Sequence, residues 1–556
     1  MTGVRLLALL SIVGCVACAS DSGTRTVTTG GTLIIAVPAD ADALFPPVAT
    51  GQDAIAVIDM LYDRLADPDS TLDPFGSAGF THVLADGWTW SPDSLSIAFH
   101  IDPRARWHDG PLVTANDVRF SYAVYADTAI GGSIAEALTN VDSVSARDSS
   151  TATVWFKRKS PHAFYDATYQ LRILPEHVWR GIPHAEMARS PLARNPVGSG
   201  RFRFRRWETG TLIEIVADTA NYRGRPSLDR VTWTVVNDPS VRLARLIAGE
   251  VDLVPSLRPE QVTDLAGKPL LTTFRQQPMQ VNYLLFNLHD PANLSRPNPI
   301  FADRAMRVAI TMAVDNATLI HSAFDSAAKP MIGPLPRSVM HADTALRPIA
   351  FDRAKAAAAL DAAGWRLAPG DSVRRKGAVP LRFGVMVPSS STTRRRLAVV
   401  LQGMLKQSGI QVVIDQLDPP AMGARVVAKK FDAAMVVWNV DPLPNTLRQL
   451  WSSKAAGTNG TNYGSYMNPS LDAAMDSADN ATGAHYSERW RGVYQTLIDD
   501  APALYLFEPP IIHGLHRRIH PVGARPDAYW ARLADWSIPP GERIARDRVG
   551  LGTAPR

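Results

Sequence analysis

Short β-rich runs alternate with amphipathic helical stretches along almost the whole chain, and this alternation restricts the fold more than any other feature. Residues 32–37 (TLIIAV), 94–101, 231–236, 281–287, 383–387 and 410–414 read as strands. Residues 433–438 (AAMVVW) form a nearly continuous apolar run, the pattern of a strand covered on both faces. Between them lie helical stretches at 240–248, closed by Gly249, at 303–314, at 352–363, closed by Gly364, and at 397–407, 471–476 and 489–498. Thr114 and Asp117 have the spacing of a capping box ahead of Val118, Phe120 and Val124. The class is therefore α/β. A chain of 556 residues exceeds one ordinary core, so two or three domains are expected. No repeat and no low-complexity linker separates them, which favours interleaved domains.

Composition narrows the function. Hydrophobic residues make up 46% and charged residues 20%, as in ordinary globular proteins. The net charge of +5 is dilute, and the longest purely basic runs are two triplets, Arg374-Arg375-Lys376 and Arg394-Arg395-Arg396. A nucleic-acid interface needs a concentrated basic stripe, so no nucleic-acid partner is expected.

The N-terminus reads as an address. Arg5 precedes a short apolar stretch, 6–13, too brief to span a bilayer. Ile12-Val13-Gly14-Cys15 resembles a bacterial lipobox, with Cys15 as the lipidated residue and Cys18 as the alternative acceptor. The chain has two cysteines, so the folded body has neither a disulfide nor a cysteine metal site. The expectation is a signal peptide over 1–14, a Ser/Thr/Gly-rich tether over 15–31, and an exported protein held to a membrane by lipid, on the periplasmic or cell-surface side. The bland alternative is an ordinary cleaved signal.

Several motifs then occur in a fixed order. They begin with Ile97-Ala98-Phe99-His100-Ile101-Asp102-Pro103, Trp107-His108-Asp109-Gly110 and Thr114-Ala115-Asn116-Asp117-Val118. Asn195-Pro196-Val197-Gly198-Ser199-Gly200 and Gly249-Glu250-Val251-Asp252-Leu253 follow, then Ala362-Ala363-Gly364-Trp365, Asp441-Pro442 and Asn462-Tyr463-Gly464-Ser465-Tyr466. Together they resemble the family 5 extracellular solute-binding proteins, the peptide, oligopeptide and nickel binders of ABC importers. The resemblance implies a two-lobed periplasmic-binding-protein-like (type II) fold, with three domains around a ligand cleft. The first lobe would comprise 32–60, 195–275 and 500–556 with an inserted domain over 61–194. The second lobe would run over 276–499. A monomer that hands a small peptide to a membrane permease is implied, with no cofactor.

Asp441 follows the buried strand, where ligands of α/β sheets sit. A carboxylate there pairs with an ammonium group by a charge-assisted hydrogen bond, and in peptide-binding relatives the aspartate of such a segment holds the peptide amine. Its bland reading is a turn residue before Pro442. Asn439 and Val440 stand where relatives often have Tyr-Pro. Trp438, Asn439, Tyr283, Asn287 and Tyr463 are the other candidates for the cleft wall, with core packing as the competing reading for Trp438 and Tyr283.

Rival functions are a nickel, metal-chelate or sugar receptor and, in a different class, an exported hydrolase. His108 beside Asp109 and the Ser326-x-x-Lys329 pattern are the only catalytic hints. The first is read as a turn, and the second lacks its companion motifs. His513, His516 and His520 lie close in sequence but within an extended or loop segment, so no metal site is expected.

Overall fold

The computed structural model describes residues 29–551, apart from 131–137, 325–326, 340–344, 444, 458–459 and 482–483. Cys15, Cys18, the signal segment, most of the tether and Ser326 lie outside the described residues. The tether's last residues are not a free linker. Gly30 donates its N–H to the Ser227 carbonyl at 2.7 Å, and Arg225 donates to the Thr29 hydroxyl at 2.9 Å, so docking on the body begins by residue 29.

Among the described residues, three larger sheets organise the molecule. The first has seven strands, in the order Leu271–Gln276, Ile511–His516, Leu253–Val254, Thr32–Val37, Arg230–Val235, Leu212–Ala217, Phe202–Glu208. Beside it lies a four-stranded antiparallel sheet of Ala85–Trp90, Ser96–Ile101, Thr151–Phe156 and Val141–Ala146. One contiguous core joins the two, and it includes Leu33, Ile35 and Val231 from the first sheet and Ile97, Phe99 and Val154 from the second. They form one lobe. The third sheet has six strands, centred on Gln280–Phe286 and Ala433–Asn439, and forms the second lobe.

In the second lobe both sheet faces are covered. Val281, Tyr283 and Leu285 point into one cluster, and Leu284 and Phe286 into the other. That is why the strand reads as unbroken apolar sequence rather than alternation.

Local chemistry explains many element ends. The Thr114 N–H donates to Asp117 Oδ2 at 2.8 Å, the expected box at the head of Ala115–Ala126. Ser391 accepts from the Arg394 N–H at 3.2 Å, so Thr392–Lys406 starts five residues before the expected position, and the Arg394–Arg396 triplet rides on its first turn. The Trp107–Gly110 turn has Gly110 at φ +116°, with its N–H bonded to the Trp107 carbonyl. His108 docks this turn on the next motif: Nε2 lies 2.9 Å from the Gly200 carbonyl and Nδ1 accepts from the Gly198 N–H. A Cβ on Gly198 would fall 1.8 Å from the Leu61 carbonyl oxygen, so the chain tolerates only glycine there.

Two crossovers connect the lobes. One runs from Gln276 to Gln280. The other runs from Glu508 to Ile511 through Pro509 and Pro510. The domain boundary expected at 499/500 is displaced by this geometry: Ala503–Glu508 pairs with Gln280–Phe286 in the second lobe, and the chain enters the first sheet only at Ile511.

Candidate ligand cleft between the lobes

Strand direction places the cleft. Gln280 leaves its crossover paired with Asn439, while Phe286 pairs with Ala433. The central strand of the second lobe therefore aims its carboxyl end at the crossovers. In the first lobe, Ile511–His516 leaves its crossover antiparallel to Leu253–Val254, which is parallel to Thr32–Val37, itself parallel to Arg230–Val235. Their carboxyl ends point the same way. Both lobes thus present carboxyl strand ends to a shared seam, the usual place for a ligand in such sheets.

Asp441 stands at that seam. Its backbone N–H donates to Thr446 Oγ1 at 3.3 Å, and the following Pro442 and Leu443 are buried. Its carboxylate has no hydrogen-bond partner among the described residues. Asp441 is exposed to water, although desolvation by the surrounding protein pushes its carboxyl above the ordinary aspartate range.

Across the seam stands Tyr165, on the short helix Ala163–Thr168. Its hydroxyl is buried and unpartnered. Burial, then the neighbouring Tyr169 and Asp441, hold that hydroxyl far above its ordinary pKa. Its ring stacks on Tyr169 at 4.6 Å, and Tyr169 donates to Asp527 at 2.7 Å. Arg525 in turn binds Asp527 at 2.7 Å and 3.0 Å, fixing the wall. The sequence reading passed over Tyr165 entirely.

The other candidates divide. Trp438 is half-buried, with its ring 6.4 Å from that of Tyr463, and Asn439 is exposed at the strand end beside Asp441. Tyr283 is 3% exposed and packs 5.9 Å from Trp451, inside the core. Asn287 lies at the far end of the central strand pair, about 20 Å from the seam at the rise of a strand. Its side chain is consumed by the carbonyls of Lys429 and Phe431, so it closes the sheet and does not line the cleft.

The residues that suggested other chemistry are also accounted for. His513 is buried against Gln276 at 3.0 Å, and burial lowers its pKa to about 4. His516 accepts from the Arg518 N–H, and His520 lies 3.2 Å from Glu542. The three imidazoles serve different partners, and among the described residues no group of His, Cys, Asp or Glu is placed to hold a metal ion. A hollow of about 670 Å³ lies within the first lobe, away from Asp441, lined by Asp63, Arg64, Arg201, Arg223, Arg525 and Asp535 among others. Each of those guanidinium groups is already paired with an aspartate there.

The sequence profile of the bacterial extracellular solute-binding proteins, family 5 (middle), matches residues 79–459, more than half of the chain. The chain belongs to that family. Among curated relatives, it is 26% identical over 498 residues to the oligopeptide-binding protein AppA of Bacillus subtilis, covering 86% of each chain. It is 26% identical over 487 residues to the probable D,D-dipeptide-binding periplasmic protein DdpA of Escherichia coli, covering 86% of this chain and 88% of that one. Its fold matches the substrate-binding protein CtaP of Listeria monocytogenes with a TM-score of 0.80 at 21% identity, over 92% of this chain and 100% of that chain. It also matches NikZ of Campylobacter jejuni, solved with Ni(L-His), with a TM-score of 0.73 at 22% identity, over 91% of this chain and 99% of that chain. The fold is that of a two-lobed, type II periplasmic binding protein. In this solute-binding protein two crossing segments join the lobes. No helix among the described residues is long and apolar enough to cross a membrane.

Proposed function

We propose that this family 5 member captures small peptides by their free amine and delivers them to the permease of an ABC-type importer. The observation that carries the reading is the pair formed by Asp441 and Tyr165. An exposed carboxylate and a buried hydroxyl, neither with a hydrogen-bond partner among the described residues, lie close enough to influence each other from opposite lobes. A partly desolvated carboxylate without a partner is unfavourable, so such a pair suits a ligand that supplies the missing cation. An ammonium group donates to both oxygens at once. Trp438, Asn439 and Tyr463 extend the wall on the second-lobe side, where aromatic surface accepts side chains of varied shape. The relatives named as oligopeptide-binding and dipeptide-binding support the peptide over a metal chelate or a sugar.

The remaining parts follow the same reading. The first lobe is assembled from 32–60, 195–275 and the segment from 511 onward. The inserted domain is 61–194, and the second lobe is 276–508. The protein is exported and works as a monomer tethered to a membrane through a lipid on Cys15 or Cys18. It performs no chemistry of its own.

Calorimetry with synthetic tripeptides, free and N-acetylated, on wild type and Asp441→Asn tests the function. Removing one partner of a desolvated charge pair typically costs about 2–5 kcal/mol, so the free peptides should bind about 30-fold to several-thousand-fold more weakly. Acetylated peptides should bind wild type poorly and lose little more on substitution. Equal affinity of both proteins for the free peptides would return Asp441 to the role of a turn residue.

A further inference from the structure

Contacts between the lobes are made by side chains that do not belong to the proposed ligand wall. Between the strands Ala66–Pro68 and Phe80–His82 of the first lobe runs a loop, residues 69–79. It is built as a rigid body. Asp69 donates its N–H to the Gly79 carbonyl at 2.9 Å, closing the base. Asp69 Oδ1 accepts from the Thr71 N–H at 2.8 Å, and Asp73 Oδ1 accepts from the Phe75 N–H at 2.9 Å. The Gly76 N–H bonds to the Pro161 carbonyl, pinning the loop to the segment that leads into the Tyr165 helix.

This rigid loop aims two apolar side chains away from its own lobe. Leu72 is 2% exposed and belongs to the core cluster of the second lobe, among residues such as Leu471, Met475 and Tyr486. It sits at φ +53°, a left-handed conformation that leucine adopts only under constraint. Phe75 packs its ring 4.5 Å from that of Tyr486 in the second lobe. The reverse insertion also occurs: Leu443, two residues after Asp441, is 4% exposed within the core cluster of the first lobe.

We infer that loop 69–79 is a preformed latch, whose Leu72 and Phe75 plug into the second lobe and, with Leu443 inserted the opposite way, set the lifetime of the closed state. Opening the cleft withdraws Leu72, Phe75 and Leu443 into water, and exposure of their apolar surface opposes opening. Because the loop is internally braced, it does not collapse to hide them. The latch touches lobe against lobe and not the ligand, so it acts on the release rate more than on ligand selection. The inference rests on the proposed function only in assigning a trapped ligand. The closing device itself is a property of the lobes.

The test reads closure without needing a ligand. Donor and acceptor dyes are placed at Ser143→Cys in the first lobe and Val399→Cys in the second, both exposed positions, in the full chain with Cys15 and Cys18 replaced by Ser. Single-molecule energy transfer then gives the closed-to-open ratio. Leu72→Ala should lower that ratio about tenfold to a hundredfold, and Phe75→Ala about two- to tenfold. Leu443→Ala should also lower it. Phe75 is only half-buried, so its variant gives the reading if Leu72→Ala fails to fold. Ratios unchanged in Phe75→Ala and Leu443→Ala overturn the latch, as does a wild-type distance that never leaves the closed value. A free-amine tripeptide pool added afterwards separates the two ideas: failure of any member to bind sinks the peptide reading while the closure ratios still stand or fall by themselves.

Discussion

Two carboxylate sites in this molecule are supplied by opposite rules. Near the start of the first sheet, Asp252 and Asp547 are each inaccessible to water, and every bond they need comes from the chain. Arg518 binds Asp252 at 2.7 Å and Asp547 at 2.6 Å. Arg546 binds Asp252 at 2.6 Å, and the N–H groups of Ile34 and Thr32 donate to the two carboxylates. This cluster ties the first strand of the body to its C-terminal segment. At the seam, Asp441 is exposed and has no hydrogen-bond partner among the described residues, and the buried Tyr165 hydroxyl is equally unsupplied. Permanent structure completes its charges internally, whereas the proposed ligand site leaves its carboxylate incomplete. Asp252 belongs to a family motif and Asp441 to another, and only the partners distinguish their roles.

Breaking the completed cluster should give the largest effect. Arg518→Ala leaves Asp547 without its cation and Asp252 with only Arg546. Loss of one partner from a buried pair costs about 3–5 kcal/mol, read as a lowered urea midpoint at an unchanged slope. In the same assay Asp441→Asn should hold or raise the midpoint, because it removes an unpaired, partly desolvated charge. A loss below about 1 kcal/mol for Arg518→Ala would make the cluster no stronger than a surface ion pair and dissolve the contrast.

A smaller effect is expected at Tyr165. Tyr165→Phe keeps the stack on Tyr169 and deletes only the unpartnered hydroxyl. A hydrogen bond to a charged group is worth about 1.5–3 kcal/mol, so free-amine tripeptides should bind about tenfold to a hundredfold more weakly. The apo protein should be no less stable. An unchanged affinity would leave Asp441 as the sole amine contact and remove the first lobe from it.

How far the sequence revealed these sites depends on what each residue's neighbours in the chain say. Asp441 stands out as a candidate because it follows an unbroken apolar strand, and strand ends in α/β sheets are where ligands go. The Thr114–Asp117 cap was visible because its chemistry is local. Asn287 was misread: a polar residue ending an apolar strand looks the same whether it meets a ligand or, as here, the carbonyls of Lys429 and Phe431. Tyr165 left no trace, since AFYDAT is an ordinary apolar helix fragment and its role exists only across the seam. The boundary near 500 was displaced because consecutive strands, Ala503–Glu508 and Ile511–His516, join different lobes with only Pro509-Pro510 between them. That dipeptide is the one local sign that the ladder must break. Leu72 was equally silent, because nothing local marks an apolar loop residue as an intruder in another lobe's core.

The smallest effect concerns pH, and it sharpens the comparison because two observables should move in opposite directions. Burial raises the Asp441 carboxyl in the folded apo protein above its value in the unfolded chain. The folded state therefore holds that proton more tightly. Its contribution to stability is fully present below the unfolded value and is lost as pH rises through the raised folded value. Peptide binding runs the other way, because only the ionised carboxylate accepts from an ammonium. Affinity should climb as pH rises through the same raised value and then level off. Other carboxyl groups titrate in this range, so the measurement is the difference between wild type and Asp441→Asn from about pH 4 to pH 7. In that difference the urea midpoint should fall with pH while tripeptide affinity rises. If the two difference curves run parallel, or both are flat, Asp441 is not the unpaired carboxylate of the cleft, and its charge is met by the chain as that of Asp252 is.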